Sequence, residues 1–373
     1  MTSRRPDVVV VGAGIVGAAC ADSLSREGLA VLVLESRFAS AGATGAGMGH
    51  IVAMDDSPAQ LALTARSLAL WGKLAAELPQ ECEDEPCGTL WLAADEDEME
   101  AVQAKEAAYR RAGVAAEIWG AAELSRAEPN LRKGLAGALR VPGDRVLYPP
   151  NAARFLLARA RDRGAEIREG VEVTEIGARS VATTQETVET GAVVNAAGPE
   201  APRLSAGLPI VPRKGHLVIT DRYPGFCGHQ LVELGYLKSA HASTGPSVAF
   251  NLQPRATGQM LLGSSREFAG WDSRVDQRIL SRMIVRALDF MPSLSSLSAI
   301  RAWTGFRPAT PDKLPLIGRW HEDGPWIAAG HEGLGITTAP ATAEMLAALL
   351  TGRTSPVDPA PFSPNRAMPL AAA

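Results

Sequence analysis

The segment that most constrains how this chain folds covers residues 7–35 and reads DVVVVGAGIVGAACADSLSREGLAVLVLE. Val8–Val11 is a continuous apolar run, which is typical of a parallel strand buried on both faces. Gly12, Gly14 and Gly17 follow with the spacing G-x-G-x-x-G, between that strand and an apolar helix. The order of strand, glycine turn, helix and second strand predicts a βαβ unit that binds a nucleotide.

The glycines of this turn have separate physical roles. Gly12 permits the tight turn, Gly14 lets a pyrophosphate approach the backbone, and Gly17 lets the helix pack closely on the strand. The anion is then expected at the helix N-terminus, where Ile15 and Val16 begin the first turn. A glycine-rich turn that binds no ligand is the alternative, and the strand, helix and acidic residue around this turn argue against it.

Glu35 stands at the end of the second apolar run, 18 residues beyond Gly17. A carboxylate about 20 residues after the glycine motif binds a ribose hydroxyl in dinucleotide sites. Such a carboxylate favours a free ribose diol over a 2′-phosphate, so FAD or NAD is favoured over NADP. The motif alone does not choose between FAD and NAD.

Length and charge limit the other classes of protein. At 373 residues the chain exceeds the size at which a single core stops growing, so we expect two domains. Its net charge of -4 gives no basic surface for nucleic acid or for an anionic membrane. No apolar stretch reaches the ~20 residues of a membrane span, and the valine run is needed as the nucleotide-binding strand, so it is not a cleaved targeting peptide. We therefore expect a cytoplasmic protein.

The four cysteines are Cys20, Cys82, Cys87 and Cys227. They are too few and too scattered for a disulfide framework, and the C-x4-C spacing of Cys82 and Cys87 is unlike a zinc site or a redox pair. Free thiols in a reducing cytosol are the prediction, and no metal site is predicted.

Two further segments are rich in small residues. Residues 36–50, SRFASAGATGAGMGH, form a loop with little side-chain bulk that can pass close to a diphosphate or a ring, with a flexible linker as the alternative. VVNAAG at residues 193–198 is an apolar strand ending in a small-residue turn, where open α/β sheets bind ligands. The residues of these segments that we assign to the cofactor are Ser36, Ala43, Thr44, Ala46, Gly47, Met48, Ala197 and Gly198.

Local patterns predict helices and strands along the rest of the chain. Ser57 and Pro58 form a helix-capping signal, and apolar residues at helical spacing follow them. Further helices are predicted over residues 95–113, with a solvated acidic face, and over 149–164, 274–290 and 337–350. Strands are predicted over residues 89–93 and 166–176 and in the sequences HLVIT, SVAFNLQP and QMLLGSS.

Six segments beyond the first motif give the chain a resemblance to the FAD-dependent amino-acid and amine oxidases, which include glycine oxidase, sarcosine oxidase and D-amino-acid oxidase. They are AGMGH at 46–50, LYPPNAARFLLARARDRGAEI at 147–167, VVNAAG at 193–198, PRKG at 212–215, GFRPATPDKLPLIG at 305–318 and AAGHEGLGITTAPATA at 328–343. The last two are the most specific, because their combined pattern of Gly, Pro, His and Arg is hard to obtain by chance. The resemblance runs along nearly the whole chain and favours FAD over NAD.

The resemblance implies an α/β fold, α+β overall, with a Rossmann-like FAD-binding domain assembled from separated segments. A second, substrate-binding domain is then built on a mostly antiparallel β-sheet. The FAD-binding domain is predicted over residues 1–82, 144–211 and 298–360, the substrate-binding domain over 83–143 and 212–297, and a C-terminal tail over 361–373. Non-covalent FAD is expected, because no cysteine stands near Phe306 where sarcosine oxidases attach the flavin.

The resemblance also implies site residues. Arg307 occupies the position that anchors the substrate carboxylate, which a guanidinium engages through two parallel hydrogen bonds, and a structural salt bridge is the alternative. Negative charge develops near flavin N1 and O2 on reduction, and a turn before a helix would place backbone N–H groups there. The further cofactor residues implied are Val173, Gly305, Arg307 itself, Gly333, Leu334, Gly335, Ile336 and Thr337.

Two polar residues are candidates for contact with flavin or substrate. His50 lies in the loop expected near the flavin and would tune it, or would satisfy a local hydrogen bond. Asn251 falls where glycine oxidase has a substrate-binding tyrosine, although strand alternation does not separate it from Phe250. No general base is implied, because the substrate amine need only be neutral when the hydride leaves.

Other positions depart from the family pattern. Leu261 stands where sarcosine oxidases carry a lysine associated with oxygen reactivity, which favours a dehydrogenase over an oxidase. Glu332 and Gly333 stand where glycine oxidase has Phe and Arg, so a second arginine near the substrate is missing and a carboxylate is added. Glu332 would attract a substrate ammonium or hydroxyl, or it is a solvated loop acid.

The leading hypothesis is FAD-dependent oxidation of the C–N bond of a small amino or imino acid to the imine, by hydride transfer to flavin N5. GMGHIVAMDDSPAQ is similar to D-hydroxyproline dehydrogenases, so a D-hydroxyproline or D-proline type of substrate is preferred, with glycine, sarcosine and other D-amino acids as alternatives. The electron acceptor is expected to be oxygen, a quinone or a partner subunit.

Two alternative functions remain open. The chain would be the flavin-bearing β subunit of a multi-subunit amine or opine dehydrogenase, as some relatives are, in a homo- or hetero-oligomer. It would otherwise be an NAD-dependent dehydrogenase, which a yellow preparation with flavin absorption would exclude.

Overall fold

The structure is a computed structural model that describes residues 5–235 and 245–368. Residues 1–4, residues 236–244 of the predicted substrate-binding segments and residues 369–373 of the predicted C-terminal tail lie outside the described residues. Two large sheets, one of six strands and one of eight, form the body of the described chain.

In chain order the strands of the described residues are β1 (Val8–Val11), β2 (Val31–Glu35), β3 (His50–Ile51), β4 (Thr89–Ala93), β5 (Glu117–Gly120), β6 (Gly137–Val141), β7 (Arg145–Val146), β8 (Glu166–Glu169), β9 (Val173–Ile176), β10 (Ser180–Thr183), β11 (Thr187–Glu189), β12 (Ala192–Asn195), β13 (Val211–Thr220), β14 (Gln230–Glu233), β15 (Ser247–Pro254), β16 (Met260–Arg266), β17 (Ala299–Ala309), β18 (Leu316–Arg319) and β19 (Trp326–Ala329). The α-helices of the described residues are α1 (Ile15–Arg26), α2 (Ala43–Ala46), α3 (Pro58–Leu74), α4 (Glu96–Arg111), α5 (Ala121–Ala127), α6 (Pro149–Asp162), α7 (Ala201–Leu204), α8 (Gln277–Phe290) and α9 (Gly335–Leu350). Short 3-10 helices cover Gln80–Cys82, Gly198–Glu200, Pro292–Ser296 and Ala360–Phe362.

The six-stranded sheet has the order β18-β19-β12-β1-β2-β8. All its pairs are parallel except β18 with β19. β1 is fully buried because strands flank it on both sides and α1, which packs on α6 and α9, covers the sheet. The predicted Rossmann-like sheet, assembled from separated segments, is therefore confirmed.

The eight-stranded sheet has the order β17-β13-β16-β15-β14-β4-β6-β5. β14 and β4 are its parallel pair, and the other pairs are antiparallel, which confirms a mostly antiparallel second sheet. β17 belongs to this sheet, although the predicted boundaries assign residues 298–360 to the FAD-binding segments. The domain boundaries themselves stay a prediction.

One local feature differs from the sequence expectations. The strand predicted over residues 166–176 is two strands, β8 and β9, because Gly170 between them turns the chain with a φ of 72°. β8 pairs with β2, whereas β9 pairs with β10 in a separate sheet. The acidic helix α4 has the predicted solvated face, with Glu96, Asp97 and Glu100 exposed, and it buries Val102, Lys105 and Tyr109.

The start of α3 follows its predicted capping signal. The Ser57 hydroxyl accepts a hydrogen bond from the Gln60 backbone N–H, and Pro58 is the first helical residue. Further along α3, the Trp71 indole N–H donates to the backbone carbonyls of Ile336 and Thr337 at 3.1 and 3.0 Å. The helix therefore holds the first turn of α9 in place, and that turn borders the site described below.

We expect Gly17→Ala to destabilise the protein by about 1–3 kcal/mol and to lower its flavin content, because a Cβ on Gly17 would lie 2.0 Å from the Gly12 carbonyl oxygen. The matched control is Gly72→Ala, another helical glycine, where an added Cβ meets no atom within 4 Å. That control should be neutral or raise stability by up to ~1 kcal/mol. Urea unfolding and the ratio of flavin to protein absorbance measure both effects, and equal behaviour of the two variants would contradict the packing role of Gly17.

Candidate active site

The glycine turn is built by close approaches of the backbone. Gly12 has a φ of 104°, and a Cβ there would lie 2.7 Å from the carbonyl oxygen of Ala196 in the VVNAAG segment. A Cβ on Gly14 would lie 3.2 Å from the Thr44 hydroxyl, which accepts a hydrogen bond from the Ile15 backbone N–H at 3.0 Å. The structure therefore brings the three small-residue segments predicted for the cofactor to one place.

The predicted ribose carboxylate lies beside this turn. Glu35 Oε2 accepts a hydrogen bond from the Ala13 backbone N–H and Oε1 accepts one from the Arg37 N–H, both at 2.9 Å. The Ser36 hydroxyl is 3.3 Å from the same carboxylate and is exposed. Parallel strands β1, β2 and β12 all end here, as in a nucleotide site at the carboxyl edge of a sheet.

The remaining predicted nucleotide residues have different surroundings. Ala197 and Gly198 lie in the turn that follows β12, and Gly198 has a φ of 58°. The Val173 side chain is buried in an apolar cluster with Val9 and Val11, and its carbonyl accepts from Arg203 Nη2 at 3.2 Å. Any contact of Val173 with a ligand is therefore through its backbone.

The flavin end of the predicted site is formed by residues 43–48, β17 and the start of α9. A Cβ on Gly305 would lie 2.6 Å from the Ala46 Cβ, and one on Gly47 would lie 3.0 Å from Ile336 Cδ1. The Trp303 indole N–H donates to the Ala46 carbonyl at 3.2 Å. These contacts bring Ala43, Ala46, Gly47, Gly305 and Ile336 together.

Helix α9 begins at Gly335, after Leu334, and no side chain caps it. Its Thr337 hydroxyl donates to the His50 carbonyl at 3.0 Å and accepts from the Val52 backbone N–H at 3.2 Å. A helix N-terminus without a side-chain cap supplies backbone donors and a partial positive charge. Together with the glycine turn and Glu35, these groups fit FAD.

A cavity adjoins this region and is lined by three of the predicted substrate residues, His50, Asn251 and Glu332. Gly333 and Leu334, predicted for the cofactor, also line it. The lining residues that have a buried polar atom without a hydrogen bond in the described chain include His50 (Nε2), Trp91 (Nε1), Arg213 (Nε), Gln230 (Oε1) and Asn251 (Oδ1). Buried polar atoms of this kind are costly unless a ligand or water satisfies them, so this wall is suited to a small polar molecule.

Strand β15 separates the two residues that alternation left open. Asn251 lines the cavity, whereas Phe250 points to the opposite face and stacks on Phe290 of α8 with ring centroids 5.1 Å apart. Phe250 is fully buried in the apolar core of the eight-stranded sheet. Asn251 is therefore the residue of the pair that can contact a ligand.

His50 is neutral at physiological pH. Burial and then the positive charge of Arg307 lower the pKa of His50 to about 4, against a weaker opposing effect of the Asn251 side chain. A neutral imidazole beside the cavity can donate or accept a hydrogen bond, but it adds no positive charge to the site.

Arg307 lies against the cavity wall. Its Nη1 donates to the Ser265 carbonyl at 3.0 Å, and its guanidinium occupies the space beside Gly215, where a Cβ would lie 2.3 Å from Nη1. A Cβ on Gly333 would lie 3.5 Å from Arg307 Nε, so Gly333 is the wall residue next to it. Ser265 is held in turn by His216, whose Nδ1 is 2.9 Å from the Ser265 hydroxyl.

Glu332 is buried, so the alternative that it is a solvated loop acid is wrong. Its side chain is 11% exposed, and its carboxylate accepts a hydrogen bond from Arg213 Nη1 at 2.9 Å. Burial raises the pKa of Glu332, but Arg213, Arg266 and Arg307 together outweigh that effect and lower the pKa below its ordinary value. Glu332 is therefore an ionised counter-ion inside a group of arginines.

Several lining residues were not identified from the sequence. They are Val52, Met54, Asp56, Gln60, Trp91, Arg213, Gln230, Val232, Arg266 and Lys313. Arg213 lies within the PRKG motif and opposite Arg307 in the pairing of β13 with β17, which the family resemblance alone did not reveal. Trp91 and Gln230 come from the parallel strands β4 and β14. Each residue of β14 pairs with a residue of β4 that is 141 positions earlier in the chain (230 − 89 = 141), so no local pattern indicates this pairing.

The position expected for an oxygen-activating lysine is apolar. Leu261 is buried in a cluster with Met48 and Leu217. Within the described residues, no three His, Cys, Asp or Glu side chains are grouped so that they could hold a metal ion. None of the helices described is long and apolar enough to span a membrane.

Comparisons with known proteins agree with this geometry. Residues 7–349 match the family described as DAO, FAD dependent oxidoreductase. The glycine oxidase of Geobacillus kaustophilus is 30% identical over 381 residues, which are 98% of this chain and 98% of that protein. The hydrogen cyanide synthase subunit HcnC of Pseudomonas aeruginosa is 29% identical over 424 residues and covers 100% of this chain and 98% of that subunit. The crystal structure of L-proline dehydrogenase from P. horikoshii superposes with a TM-score of 0.88 at 27% identity, covering 97% of each chain.

His331, next to the site, provides a pH test. It is buried, its Nε2 is 3.0 Å from the Thr342 hydroxyl, and burial lowers its pKa to about 3. The unfolded chain binds this proton below pH ~6.5 and the folded chain does not, so stability should fall by ~2 kcal/mol from this residue between pH 6.5 and 5.

We expect His331→Gln to flatten that part of the pH dependence. Denaturant unfolding of both proteins at each pH measures the difference. Parallel stability curves would show that His331 is protonated in the folded protein.

Proposed function

This chain belongs to the DAO family of FAD-dependent oxidoreductases, and with FAD as its cofactor we propose that it oxidises the C–N bond of a small amino or imino acid to the imine. The observation that carries the proposal is the cavity beside Arg307, whose wall presents buried polar atoms of His50, Gln230 and Asn251. FAD supplies the acceptor for the two electrons that leave with the substrate hydrogen. The chain's own residues bind and orient the substrate.

In this proposal Arg307 anchors the substrate carboxylate. Its guanidinium is fixed by the Ser265 carbonyl at 3.0 Å, and a guanidinium can bind a carboxylate through two parallel hydrogen bonds. Gly333 beside it has no side chain, so the approach from the cavity is not blocked. A fixed carboxylate sets the orientation of the reacting Cα–H.

Asn251 and Gln230 are suited to the substrate amine. Their carboxamide oxygens are buried acceptors at the cavity wall, and a neutral amine has N–H groups to donate. His50 is also neutral and would leave the amine uncharged. No residue is assigned as a general base, because the amine need only be deprotonated before reaction.

Among small substrates we prefer a cyclic secondary amine of the D-hydroxyproline or D-proline type. The stretch GMGHIVAMDDSPAQ supports this choice, and a relative in structure is an L-proline dehydrogenase at 27% identity. Glycine, sarcosine or another D-amino acid is the alternative, which the 30% identity with a glycine oxidase supports.

Leu261 supports a dehydrogenase rather than an oxidase. It places a buried apolar side chain, in contact with Met48 and Leu217, at the position that carries lysine in sarcosine oxidases. The electron acceptor is then a quinone or a partner subunit rather than oxygen. A second candidate function, the flavin-bearing subunit of a larger dehydrogenase, is supported by the 29% identity with a hydrogen cyanide synthase subunit.

The proposed function is tested by anaerobic mixing of the flavoprotein with a substrate panel that contains D-proline, D-hydroxyproline, glycine, sarcosine and D-alanine. Loss of the flavin absorbance with at least one amine, together with imine or keto acid formation, is expected. A yellow protein that no amine reduces, alone or with co-purified subunits, would contradict the proposal. Re-oxidation by air against a quinone then distinguishes oxidase from dehydrogenase.

Arg307→Ala is expected to raise the substrate KM by on the order of 30- to 1,000-fold, because a bidentate charged contact contributes ~2–4 kcal/mol. The variant should stay yellow, since the nucleotide turn is untouched. Arg301→Ala on the same strand, where the side chain is exposed, is the control and should leave KM unchanged. An unchanged KM in Arg307→Ala would place the carboxylate anchor elsewhere.

A further inference from the structure

The cavity contains more positive charge than an amino acid with one carboxylate would neutralise. Arg213, Arg266 and Lys313 line it, and Arg307 lies against its Gly333 wall. The acidic side chains that line it in the described chain are Asp56 and Glu332. Four cations and two carboxylates leave an excess of two positive charges.

These charges lie close enough to act on one another. Arg213 and Arg307 are directly opposite in the antiparallel pairing of β13 and β17, so both side chains are on one face of the sheet. Glu332 accepts a hydrogen bond from Arg213 and is also stabilised as an anion by Arg266 and Arg307. Lys313 feels the repulsion of Arg266 and Arg213 and the attraction of Asp56 and Glu332.

The segments outside the described residues add no acidic side chain to this count. Residues 1–4, 236–244 and 369–373 contain no Asp or Glu. The two carboxylates next to the cavity are also already engaged, since Glu332 pairs with Arg213 and Asp56 lies near Lys313.

Like charges taken out of water repel strongly, and a bound anion relieves that repulsion. An amino acid with a neutral amine and one carboxylate carries one negative charge, which balances half of the excess. An amine with two carboxylates carries two, and it balances the whole excess. Charge complementarity therefore favours a dianionic substrate.

Resting on the proposed function, we propose that the preferred substrate is an amino or imino dicarboxylic acid, whose second carboxylate is bound by Arg266 and Lys313 while Arg307 holds the first. The inference narrows the substrates of the proposed function to those with two carboxylates. The proline-type ring preferred above, or an open-chain amine, would then carry an additional carboxylate. Asn251 and Gln230 retain their place beside the amine.

Matched substrate pairs that differ by one carboxylate test this inference. They are sarcosine with iminodiacetate, D-alanine with D-aspartate, and D-proline with pyrrolidine-2,4-dicarboxylate of the same configuration at C2. We expect kcat/KM for flavin reduction to be about 10- to 100-fold higher for the dicarboxylate in at least one pair. Equal or faster reduction by the monocarboxylate in all three pairs would overturn the inference while leaving the proposed function intact.

The contribution of Arg266 is measured by Arg266→Gln, which should bring the ratio of the two kcat/KM values close to one. Arg278→Gln on α8, where the side chain is exposed, is the matched control and should keep the ratio. An unchanged ratio in a folded, yellow Arg266→Gln protein would overturn the assignment of the second carboxylate to this residue.

A binding measurement makes the inference independent of turnover and of the variant's folding. Succinate adds one carboxylate to propionate, and each ligand is titrated into the wild-type flavoprotein and followed by the change in flavin absorbance. Succinate should bind about 10- to 100-fold more tightly, and more so at low salt. Tight succinate binding without oxidation of any amine would contradict the proposed function alone, whereas equal binding of both ligands would contradict the subsite alone.

Discussion

Close approach of backbone segments at positions without a side chain is the constraint on which this structure depends. Gly17 allows α1 to lie against the Gly12 carbonyl, and Gly12 in turn allows the glycine turn to touch the strand end at Ala196. The same principle recurs beside the cavity, where Gly215 leaves the space that the Arg307 guanidinium occupies. Each of these places would be filled by a Cβ, so the glycine turn and the observed position of the Arg307 guanidinium both require glycine.

The two sheets hold one segment between them. Residues 46–50 are bound from the eight-stranded sheet, where Trp303 donates to the Ala46 carbonyl and Gln253 donates to the Met48 carbonyl at 2.8 Å. They are bound from the nucleotide-binding side by Thr337, at the start of α9. The segment predicted to contact the flavin is thereby fixed to the wall of the cavity, so a substrate bound in that cavity would have a defined position relative to the segment.

Local sequence patterns were sufficient for the elements that are organised locally. The βαβ unit and the start of α3 at Ser57 follow from short-range physics, namely burial of an apolar run and side-chain capping. The buried face of β15 could not be predicted from local patterns, because Phe250 and Asn251 point to opposite faces of the strand. Only the packing of Phe250 on Phe290 shows which face is in the core. The cationic lining of the cavity could not be predicted from the sequence either. Arg213 and Arg266 are on different strands, and only the long-range pairing of β13 with β16 and β17 brings them to one cavity.

The opposition of Arg213 and Arg307 gives Glu332 a structural role as their counter-ion. Two arginines directly opposite on one face of an antiparallel pair repel each other, and the repulsion grows as burial lowers the local dielectric. Glu332 pairs with Arg213 at 2.9 Å and is stabilised by Arg307, so it offsets that repulsion. The space at Gly333 remains open beside Arg307. Three of the four cations at the cavity, Arg213, Arg266 and Arg307, are on strands of the eight-stranded sheet, so long-range strand pairing builds its cationic character.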